Sequence, residues 1–352
     1  MLSRERFARM YEHREADRVP IIDGPWAGTI RRWQNEGMPA GADWREYFGT
    51  DKTAYIGADI SPRYPGKVIE ETDVYRIVTT GWGVTMKEFK TADSTPEFLD
   101  YKVNTPEAWE ECKARMKPGR DRVNWDYLKD AYPKWKAEGC WIAGGFWFGF
   151  DVTHSWMAGT ETVLIAMLED PDWARDMFNT YLDMCIAQFD MIWDAGYTFD
   201  EISWPDDMGY KNTTFFSPEL YREILKPIHK RAVDWAHGKG IYAQLHSCGD
   251  VMAFVPDFAD IKVDALNPLE IKAGMDVIKL KKEYGDKLTL HGGVNAVLWD
   301  DKEAITAEIK RVVPILKENG GYIFSSDHSI PNSVSLDNFK TIIETVKEYG
   351  KY

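Results

Sequence analysis

The sequence lacks a long apolar run. Nowhere in its 352 residues do about 18 uncharged apolar residues follow one another, which is the length that a membrane-spanning helix needs. The N-terminal stretch 1–7, Met-Leu-Ser-Arg-Glu-Arg-Phe, carries charges where a secretory signal peptide needs an apolar segment. These absences predict a cytoplasmic protein without a membrane partner.

Cysteine is also scarce. The four cysteines, Cys112, Cys140, Cys185 and Cys248, are too few and too scattered for a disulfide framework in a chain of this length. Three of them lie in contexts that are typical of a small buried hydrophobic residue. Cys248 differs because it stands two positions after His246, in the segment His-Ser-Cys-Gly-Asp at 246–250.

Positive charge is in deficit. Lys and Arg total 43 against 57 Asp and Glu, which leaves a formal net charge of −14. Such a field repels phosphate backbones, and no Lys/Arg cluster offsets it, so we expect no nucleic-acid partner. Tryptophan, in contrast, is abundant with 15 residues, and we expect some of them to line a pocket for a small-molecule substrate.

Nothing in the sequence marks a domain boundary. It contains no Gly/Ser/Pro-rich linker, low-complexity tract or internal repeat. Hydrophobic residues make up 44% of the chain, which is enough for a sizeable core. Barrels of alternating strands and helices often exceed about 250 residues as one unit. We therefore predict a single domain over residues 1–352.

Short apolar or β-branched runs alternate with amphipathic stretches, which is the pattern of strand–helix units and a parallel sheet. Helix boundaries carry the usual signals, such as Ser217-Pro218 at a start and Gly320-Gly321 after an end. About eight strands are predicted, the number that closes a barrel, so the predicted fold class is α/β, a (β/α)₈ TIM barrel. The predicted strands span 19–23, 53–59, 141–146, 201–204, 241–246, 263–267, 288–292 and 322–325.

Residues 61–135 depart from this alternation. The stretches 74–78 and 84–89 flank Thr80-Gly81 and predict a hairpin, and a helical stretch rich in tryptophan and charge follows. We interpret this segment as an insertion near the barrel mouth. The sequence leaves open whether this segment serves as a lid or as an oligomer surface. It also leaves open the oligomeric state, for which a homodimer is one alternative.

The residues that follow each strand converge on one mouth, where barrel enzymes carry out their chemistry. Carboxylates, imidazoles and one thiol concentrate at this position in the sequence. Any single Asp there is explained equally well as a helix cap or a turn residue, but the set as a whole favours a functional site. The predicted catalytic residues are Asp206, Asp207 and Glu270, and the predicted substrate-binding residues are Asp23, Trp147, Asn295 and Asp327.

His246-x-Cys248 is the most specific feature of this set. Residues two apart at the end of a strand point the same way, so an imidazole nitrogen and a sulfur can face one cation. Zn²⁺ prefers such ligands in a tetrahedral set, and a catalytic site keeps one position open. We expect His328, after the last strand, to supply the third ligand, with Asp327 as the alternative.

Six segments together resemble the uroporphyrinogen decarboxylase superfamily over nearly the whole chain. The resemblance implies a (β/α)₈ barrel with its site at the carboxyl ends of the strands. The segments are Ala-Asp-Arg-Val-Pro at 16–20, Phe-Ser-Pro-Glu-Leu-Tyr at 216–221, His-Ser-Cys-Gly-Asp at 246–250, Asp-Ala-Leu-Asn-Pro at 264–268, Gly-Gly-Val-Asn at 292–295 and Ser-Asp-His-Ser-Ile-Pro at 326–331.

Two branches of that superfamily imply different activities. True decarboxylases use no cofactor and hold the substrate's carboxylates with arginines after the first strand, whereas residues 23–28 here contain none. Corrinoid-dependent methyltransferases bind zinc through a His-x-Cys pair, which His246 and Cys248 match, and through a later Cys, which is replaced here by His328. This branch implies methyl transfer from a small methylated substrate, such as a methoxylated aromatic compound, to a corrinoid carried by a partner protein.

Two alternatives remain open. A cofactor-free decarboxylase of a porphyrinogen or another carboxylated ring would use Asp23 or Asp59 to stabilise a protonated pyrrole-type intermediate. A non-catalytic corrinoid or tetrapyrrole carrier would keep the barrel without the chemistry.

Overall fold

The computed structural model describes residues 1–90 and 95–352. The strands are β1 Thr53–Ile56, β2 Lys67–Glu71, β3 Tyr75–Thr79, β4 Val84–Phe89, β5 Glu97–Tyr101, β6 Trp141–Gly145, β7 Glu201–Pro205, β8 Gly209–Tyr210, β9 Thr213–Thr214, β10 Tyr242–His246, β11 Ala265–Asn267, β12 Thr289–His291 and β13 Tyr322–Ile323. The helices are α1 Ser3–Tyr11, α2 Ala27–Asn35, α3 Trp44–Phe48, α4 Pro106–Arg115, α5 Trp125–Ala137, α6 Phe150–Val152, α7 Thr160–Glu169, α8 Pro171–Asp194, α9 Pro218–Leu220, α10 Lys226–Gly238, α11 Val255–Asp260, α12 Val277–Tyr284, α13 Lys302–Leu316 and α14 Leu336–Tyr349.

A parallel sheet of seven strands forms the centre of the protein, in the order β1-β6-β7-β10-β11-β12-β13. Consecutive strands of this sheet are neighbours, and helices separate most of them along the chain, as parallel strands require. The seven strands correspond to seven of the eight that the sequence predicts. The α/β class and the parallel sheet are therefore confirmed.

The predicted strand at 19–23 does not form a continuous ladder. It makes one isolated parallel bridge, between Ile21 and Phe324 just after β13. The backbone N–H of Phe324 donates to Pro20 and the N–H of Ile22 donates back to Phe324, but Pro20 has no N–H of its own to extend the pairing. The sheet thus curls without a complete eighth strand, and the full eight-stranded barrel is present only in part.

Asp51 joins this first segment to the opposite edge of the sheet. It lies just before β1 and is 1% exposed. Its Oδ2 accepts hydrogen bonds from the backbone of Ile21 at 2.8 Å and from Arg18 at 2.7 Å. Its Oδ1 accepts from Ser3 at 2.9 Å and from Arg6 of α1. One buried carboxylate therefore holds α1, the first segment and β1 together.

Helix α1 closes the amino-terminal end of the curled sheet. Phe7, Met10 and Tyr11 on its buried face pack against interior residues of the strands, including Trp141 of β6 and Ile323 of β13. The rings of Phe7 and Tyr11 stack on Trp141, with centroids 5.4 and 5.2 Å away. Burial of each such side chain stabilises the fold by about 1.5–3 kcal/mol, so these contacts hold α1 firmly against the amino-terminal end of the sheet.

The insertion contains more strand than the predicted hairpin. That hairpin is present as β3 and β4, and it lies within a four-stranded antiparallel sheet in the order β2-β3-β4-β5, followed by α4 and α5. Residues 91–94 of the insertion lie outside the described residues. Trp82 packs against Trp147, and Phe98 packs against Trp156, with ring centroids 5.2 and 5.6 Å apart. The insertion thus contacts the loop after β6.

Within the part of the chain that the structure describes, no helix combines the length and the apolar character needed to cross a lipid bilayer.

Asp51→Asn is expected to lower the free energy of unfolding by about 3 kcal/mol, because it removes a buried negative charge that pairs with Arg18 and, together with Asp17, with Arg6. Urea unfolding at neutral pH measures the effect. Asp172→Asn is the control, since Asp172 also pairs with an arginine but its side chain is 93% exposed. A change below about 0.5 kcal/mol for Asp51→Asn would contradict the joining role of this carboxylate.

Candidate metal centre and active site

Three potential metal ligands converge at the carboxyl ends of β7 and β10. His246 is the last residue of β10 and pairs in register with Pro205, the last residue of β7. Cys248 and Asp207 each follow two residues after these strand ends, so the parallel register brings them together. The Sγ of Cys248 lies 3.3 Å from Nε2 of His246, and Oδ1 of Asp207 lies 3.8 Å from the same nitrogen. The ligand atoms of the three residues all lie within 4.8 Å of one another.

The orientation of the His246 ring is set by the neighbouring strand. Its Nδ1 hydrogen-bonds to Oδ1 of Asn267, the last residue of β11. Since an amide oxygen only accepts, Nδ1 carries the proton and Nε2 presents its lone pair towards Cys248. Asn267 is itself held by a 3.2 Å hydrogen bond to the carbonyl of His291 on β12. Metal-binding histidines usually have such a partner on the second nitrogen.

The turn after β10 depends on two glycines. Gly249 has φ of +81°, and a Cβ on Gly249 would lie 2.3 Å from the carbonyl carbon of Gly209. Only glycine combines that backbone conformation with so close an approach. The backbone N–H of Cys248 donates to Asp207 at 2.8 Å, and that of Gly249 donates to Glu270 at 2.6 Å. The two carboxylates thus fix the turn that carries the thiol.

The environment of the thiol is acidic and poorly solvated. Burial, followed by the negative charges of Asp207 and Glu270, raises the pKa of the Cys248 thiol well above its usual range. A thiolate at this position therefore needs a compensating cation.

His328 and Asp327, the predicted third ligand and its alternative, lie outside this group of three. His328 is exposed, and its Nδ1 hydrogen-bonds to the hydroxyl of Ser329 at 2.9 Å. Asp327 is fully buried and accepts hydrogen bonds from the backbone of Ile271 at 3.0 Å and of Ala296 at 2.7 Å. Asp327 thus ties two loops of the mouth together. Asp207, and not His328, is the third residue that lies beside His246 and Cys248.

The two other predicted catalytic acids have different surroundings. Asp206 is fully buried, and its Oδ2 lies 2.7 Å from Nε2 of His229, which is also fully buried. Its Oδ1 accepts from the backbone N–H of Asp151 at 2.7 Å. Glu270, in contrast, lines a pocket beside Cys248 and pairs with Lys272 at 3.0 Å. Of these two acids, only Glu270 borders space for a substrate.

The predicted substrate-binding residues are spread around the mouth. Asp23 accepts hydrogen bonds from the backbone and the hydroxyl of Ser326, and burial raises the pKa of this carboxyl to about 6. The side chain of Asn295 caps a short helical turn by accepting from Val297 at 3.0 Å. Trp147 donates through its indole N–H to Asp151 at 2.7 Å.

Asp151 is not among the site residues that the sequence predicts. Its side chain is 13% exposed and lies on the short helix α6, which follows β6. Burial, together with the charges of Asp207 and Asp206, raises its pKa to about 7. Its position shortly after a predicted strand was the available signal, but Phe148, Gly149 and Phe150 separate it from Trp147, so its orientation could not be inferred.

A parallel strand–helix sheet that presents nitrogen, sulfur and carboxylate ligands at its carboxyl edge is typical of enzymes of the α/β class. Residues 2–349 match the family described as "Uroporphyrinogen decarboxylase (URO-D)". Because this match covers almost the whole sequence, the chain belongs to the uroporphyrinogen decarboxylase family, and the predicted superfamily resemblance is confirmed.

Curated relatives match over shorter stretches. The uroporphyrinogen decarboxylase of Vesicomyosocius okutanii is 31% identical over 78 residues, which are 22% of this chain and 23% of that protein. The uroporphyrinogen decarboxylase of Chlorobaculum tepidum is 29% identical over 139 residues, which are 38% of each chain. The chain thus matches less than half the length of either relative.

A solved structure matches over the full length. The structure titled methyltransferase from Methanosarcina mazei covers 99% of each chain with a TM-score of 0.67 and 16% sequence identity. At this level of identity the likeness establishes the shared fold.

Asp151→Asn is expected to stabilise metal-free protein increasingly as the pH rises. The pKa of Asp151 is raised from 3.8 to about 7, so the neutral carboxyl stabilises the folded state fully below pH 3.8, and this contribution is lost as the pH rises through 7. Asparagine stays neutral at every pH and keeps this contribution. The free energy of unfolding of Asp151→Asn should therefore exceed that of the wild type by about 2 kcal/mol at pH ~8.

Urea unfolding with a chelator present, at pH ~4.5 and pH ~8, measures the difference in the free energy of unfolding between the variant and the wild type. Asp130→Asn is the matched control, since Asp130 is an exposed residue of α5. A difference that is the same at both pH values would contradict the raised pKa.

Proposed function

We propose that the protein is a zinc-dependent methyltransferase that moves a methyl group from a small methylated substrate to a corrinoid bound by a separate protein. The observation that carries the proposal is the convergence of Asp207, His246 and Cys248, whose ligand atoms lie within 4.8 Å of one another. The match to a methyltransferase fold over 99% of the chain is consistent with it.

The donor set fits zinc. Imidazole nitrogen, thiolate sulfur and carboxylate oxygen are all ligands of Zn²⁺, and three protein ligands leave a fourth position for substrate. The bond from Asn267 to His246 leaves Nε2 free to bind the ion. His246, Cys248 and Asp207 would hold the metal. Whether His328 also contributes a ligand is tested with the His328→Ala variant.

The chemistry requires activation of a poor leaving group. When bound, the metal would act as a Lewis acid on the heteroatom that carries the methyl group. The protein's own residues would position the substrate and supply a proton to the leaving atom. Glu270 is placed for the second role because it borders the pocket beside Cys248, where its Oε1 pairs with Lys272 and its Oε2 accepts from the backbone N–H of Gly249. Asp206 would act indirectly, by holding the backbone of Asp151.

Aromatic residues favour a ring-bearing substrate. Trp147 forms edge-to-face pairs with Trp82 at 5.2 Å and with Trp156 at 5.7 Å, and none of the three is fully buried. Such a surface suits a methoxylated aromatic compound.

A cofactor-free decarboxylase is the second candidate, and the names of the curated relatives favour it. The surroundings of its predicted residues weigh against it. Asp59 pairs with Arg63 at 2.6 Å, and Asp23 is bonded to Ser326. Residues 23–28 also offer no arginine to neutralise several substrate carboxylates.

Zinc analysis tests the metal centre. Wild-type protein is expected to bind one zinc ion per chain, and Cys248→Ser, His246→Ala and Asp207→Asn are each expected to weaken binding by at least about 100-fold because each removes a ligand. Asn267→Ala should cost about 10–100-fold by freeing the imidazole. Competition with a chromogenic chelator measures these affinities.

The controls are Cys140→Ser and His237→Ala, which change the same residue types away from the site. His328→Ala decides whether that imidazole contributes. Unchanged zinc affinity in both Cys248→Ser and His246→Ala would remove the proposal.

Activity is tested separately from metal binding. Zinc-loaded protein is incubated with cob(I)alamin, as a substitute for the corrinoid protein, and with a panel of methoxylated aromatic compounds. The proposal expects methylcobalamin to form and Cys248→Ser to abolish its formation. Conversion of uroporphyrinogen by metal-free protein would instead support the decarboxylase.

A further inference from the structure

A pocket of about 430 Å³ opens directly beside Cys248. Its size falls within the range of small-molecule sites, which is about 300–1,000 Å³. Three segments form its wall: the β8–β9 hairpin, the turn at Cys248 and Gly249, and the loop from Glu270 to Ala273. Tyr210 stands at the rim with 61% of its surface exposed.

Backbone hydrogen bonds hold these segments together. The N–H of Asp250 donates to the carbonyl of Tyr210 at 3.0 Å, which joins the turn to the hairpin. The N–H of Asn212 donates to the carbonyl of Ala273 at 3.1 Å, which joins the hairpin to the third segment. The bond between Asn212 and Ala273 also brings two lysines onto neighbouring segments, because Lys211 precedes Asn212 and Lys272 precedes Ala273.

Lys211 and Lys272 therefore lie on adjoining backbone segments and line the same pocket. Both are exposed. Lys272 pairs with Glu270 at 3.0 Å, whereas Lys211 makes no ion pair within residues 1–90 and 95–352. Lys211 therefore brings to this pocket a positive charge that no carboxylate of the described residues neutralises.

We propose that Lys211 and Lys272 form an anion subsite that binds the carboxylate of a small-molecule ligand next to Cys248. A carboxylate at this rim would accept charge-assisted hydrogen bonds from Lys211, which has no other ion pair among the described residues, and from Lys272, which it would share with Glu270. The glycines at 209 and 249 leave the floor free of side chains, so the body of the ligand extends from the lysines towards the sulfur.

This inference deepens the proposed function, on which it rests for the identity of the ligand as the methyl donor. It assigns that donor to the class of small carboxylates. It also accounts for the missing arginines at 23–28, because the cations that recognise the carboxylate come from the hairpin and from the loop after β11.

The test measures binding, so it does not depend on turnover. Isothermal titration uses the full chain, both as purified and after zinc removal, with benzoate, 4-methoxybenzoate and the neutral 4-methoxybenzamide as probes. The carboxylates are expected to bind with Kd below about 10 mM in both forms, and more tightly than the amide. Raising the ionic strength from about 0.05 to about 0.5 M should weaken the carboxylates alone.

Variants locate the subsite. Lys211→Met is expected to weaken 4-methoxybenzoate binding about ten-fold, which is typical of one charged hydrogen bond, and the double variant with Lys272→Met by more. Lys211→Arg keeps the charge and should restore binding to within about three-fold. Lys129→Met, on the exposed face of α5, is the control and should change nothing.

Three outcomes would overturn the proposal. They are equal affinity of the double variant and wild type for 4-methoxybenzoate, equal affinity of wild type for the amide and the acid, and no detectable binding of either carboxylate. Tighter binding of a hexaglutamate peptide than of either probe would assign the lysines to a protein partner instead. Loss of zinc binding or of methyl transfer with intact carboxylate binding would contradict only the proposed function.

Discussion

The parallel register of β7, β10 and β11 is the constraint on which the candidate site depends. Pairing of Pro205 with His246, and of His246 with Asn267, sets three strand ends side by side. Everything that approaches the imidazole follows from this alignment: the thiol two residues later on the same chain, the carboxylate two residues after β7 and the amide at the end of β11. A shift of one residue in either pairing would turn alternate side chains to the other face of the sheet and separate the donors.

That alignment in turn requires the sheet to curl, and the curl is held at a place where hydrogen-bonded strand pairing is incomplete. Pro20 interrupts the first segment, so side chains replace part of the ladder there. Asp51 supplies the replacement by bonding to the backbone of Ile21 and to two arginines from different elements. The sequence predicted a strand at 19–23 from its apolar character, yet it could not show how a proline would change the way that strand closes against its neighbours.

The outline of the fold could be read from the sequence because it depends on local periodicity. Seven of the predicted strands, the hairpin at β3 and β4 and the position of His246 and Cys248 at a strand end all follow from short-range patterns. The third donor did not. Asp206 and Asp207 are adjacent and chemically identical, and only the packing of α10 decides that the first is buried against His229 while the second faces the pair. His328 was expected as a ligand because it follows the last predicted strand, but its approach depends on the path of the loop after β13, which no local pattern specifies.

The carboxylates and lysines near Cys248 explain why the candidate site needs added positive charge at one place and added negative charge at another. Asp207, Glu270 and Asp151 carry negative charge near the half-buried thiol of Cys248, and each raises the pKa of this thiol. Among the described residues, Lys272 is the lysine or arginine that pairs with one of these carboxylates, through Glu270. The negative charge that is left lies at Asp151 and at Asp207, which is one of the three converging ligands. A divalent cation held there by the proposed donors would balance a thiolate and one carboxylate. With Glu270 matched by Lys272, Lys211 is then the positive charge at the rim that has no partner in the described chain, and a substrate carboxylate would complete the balance.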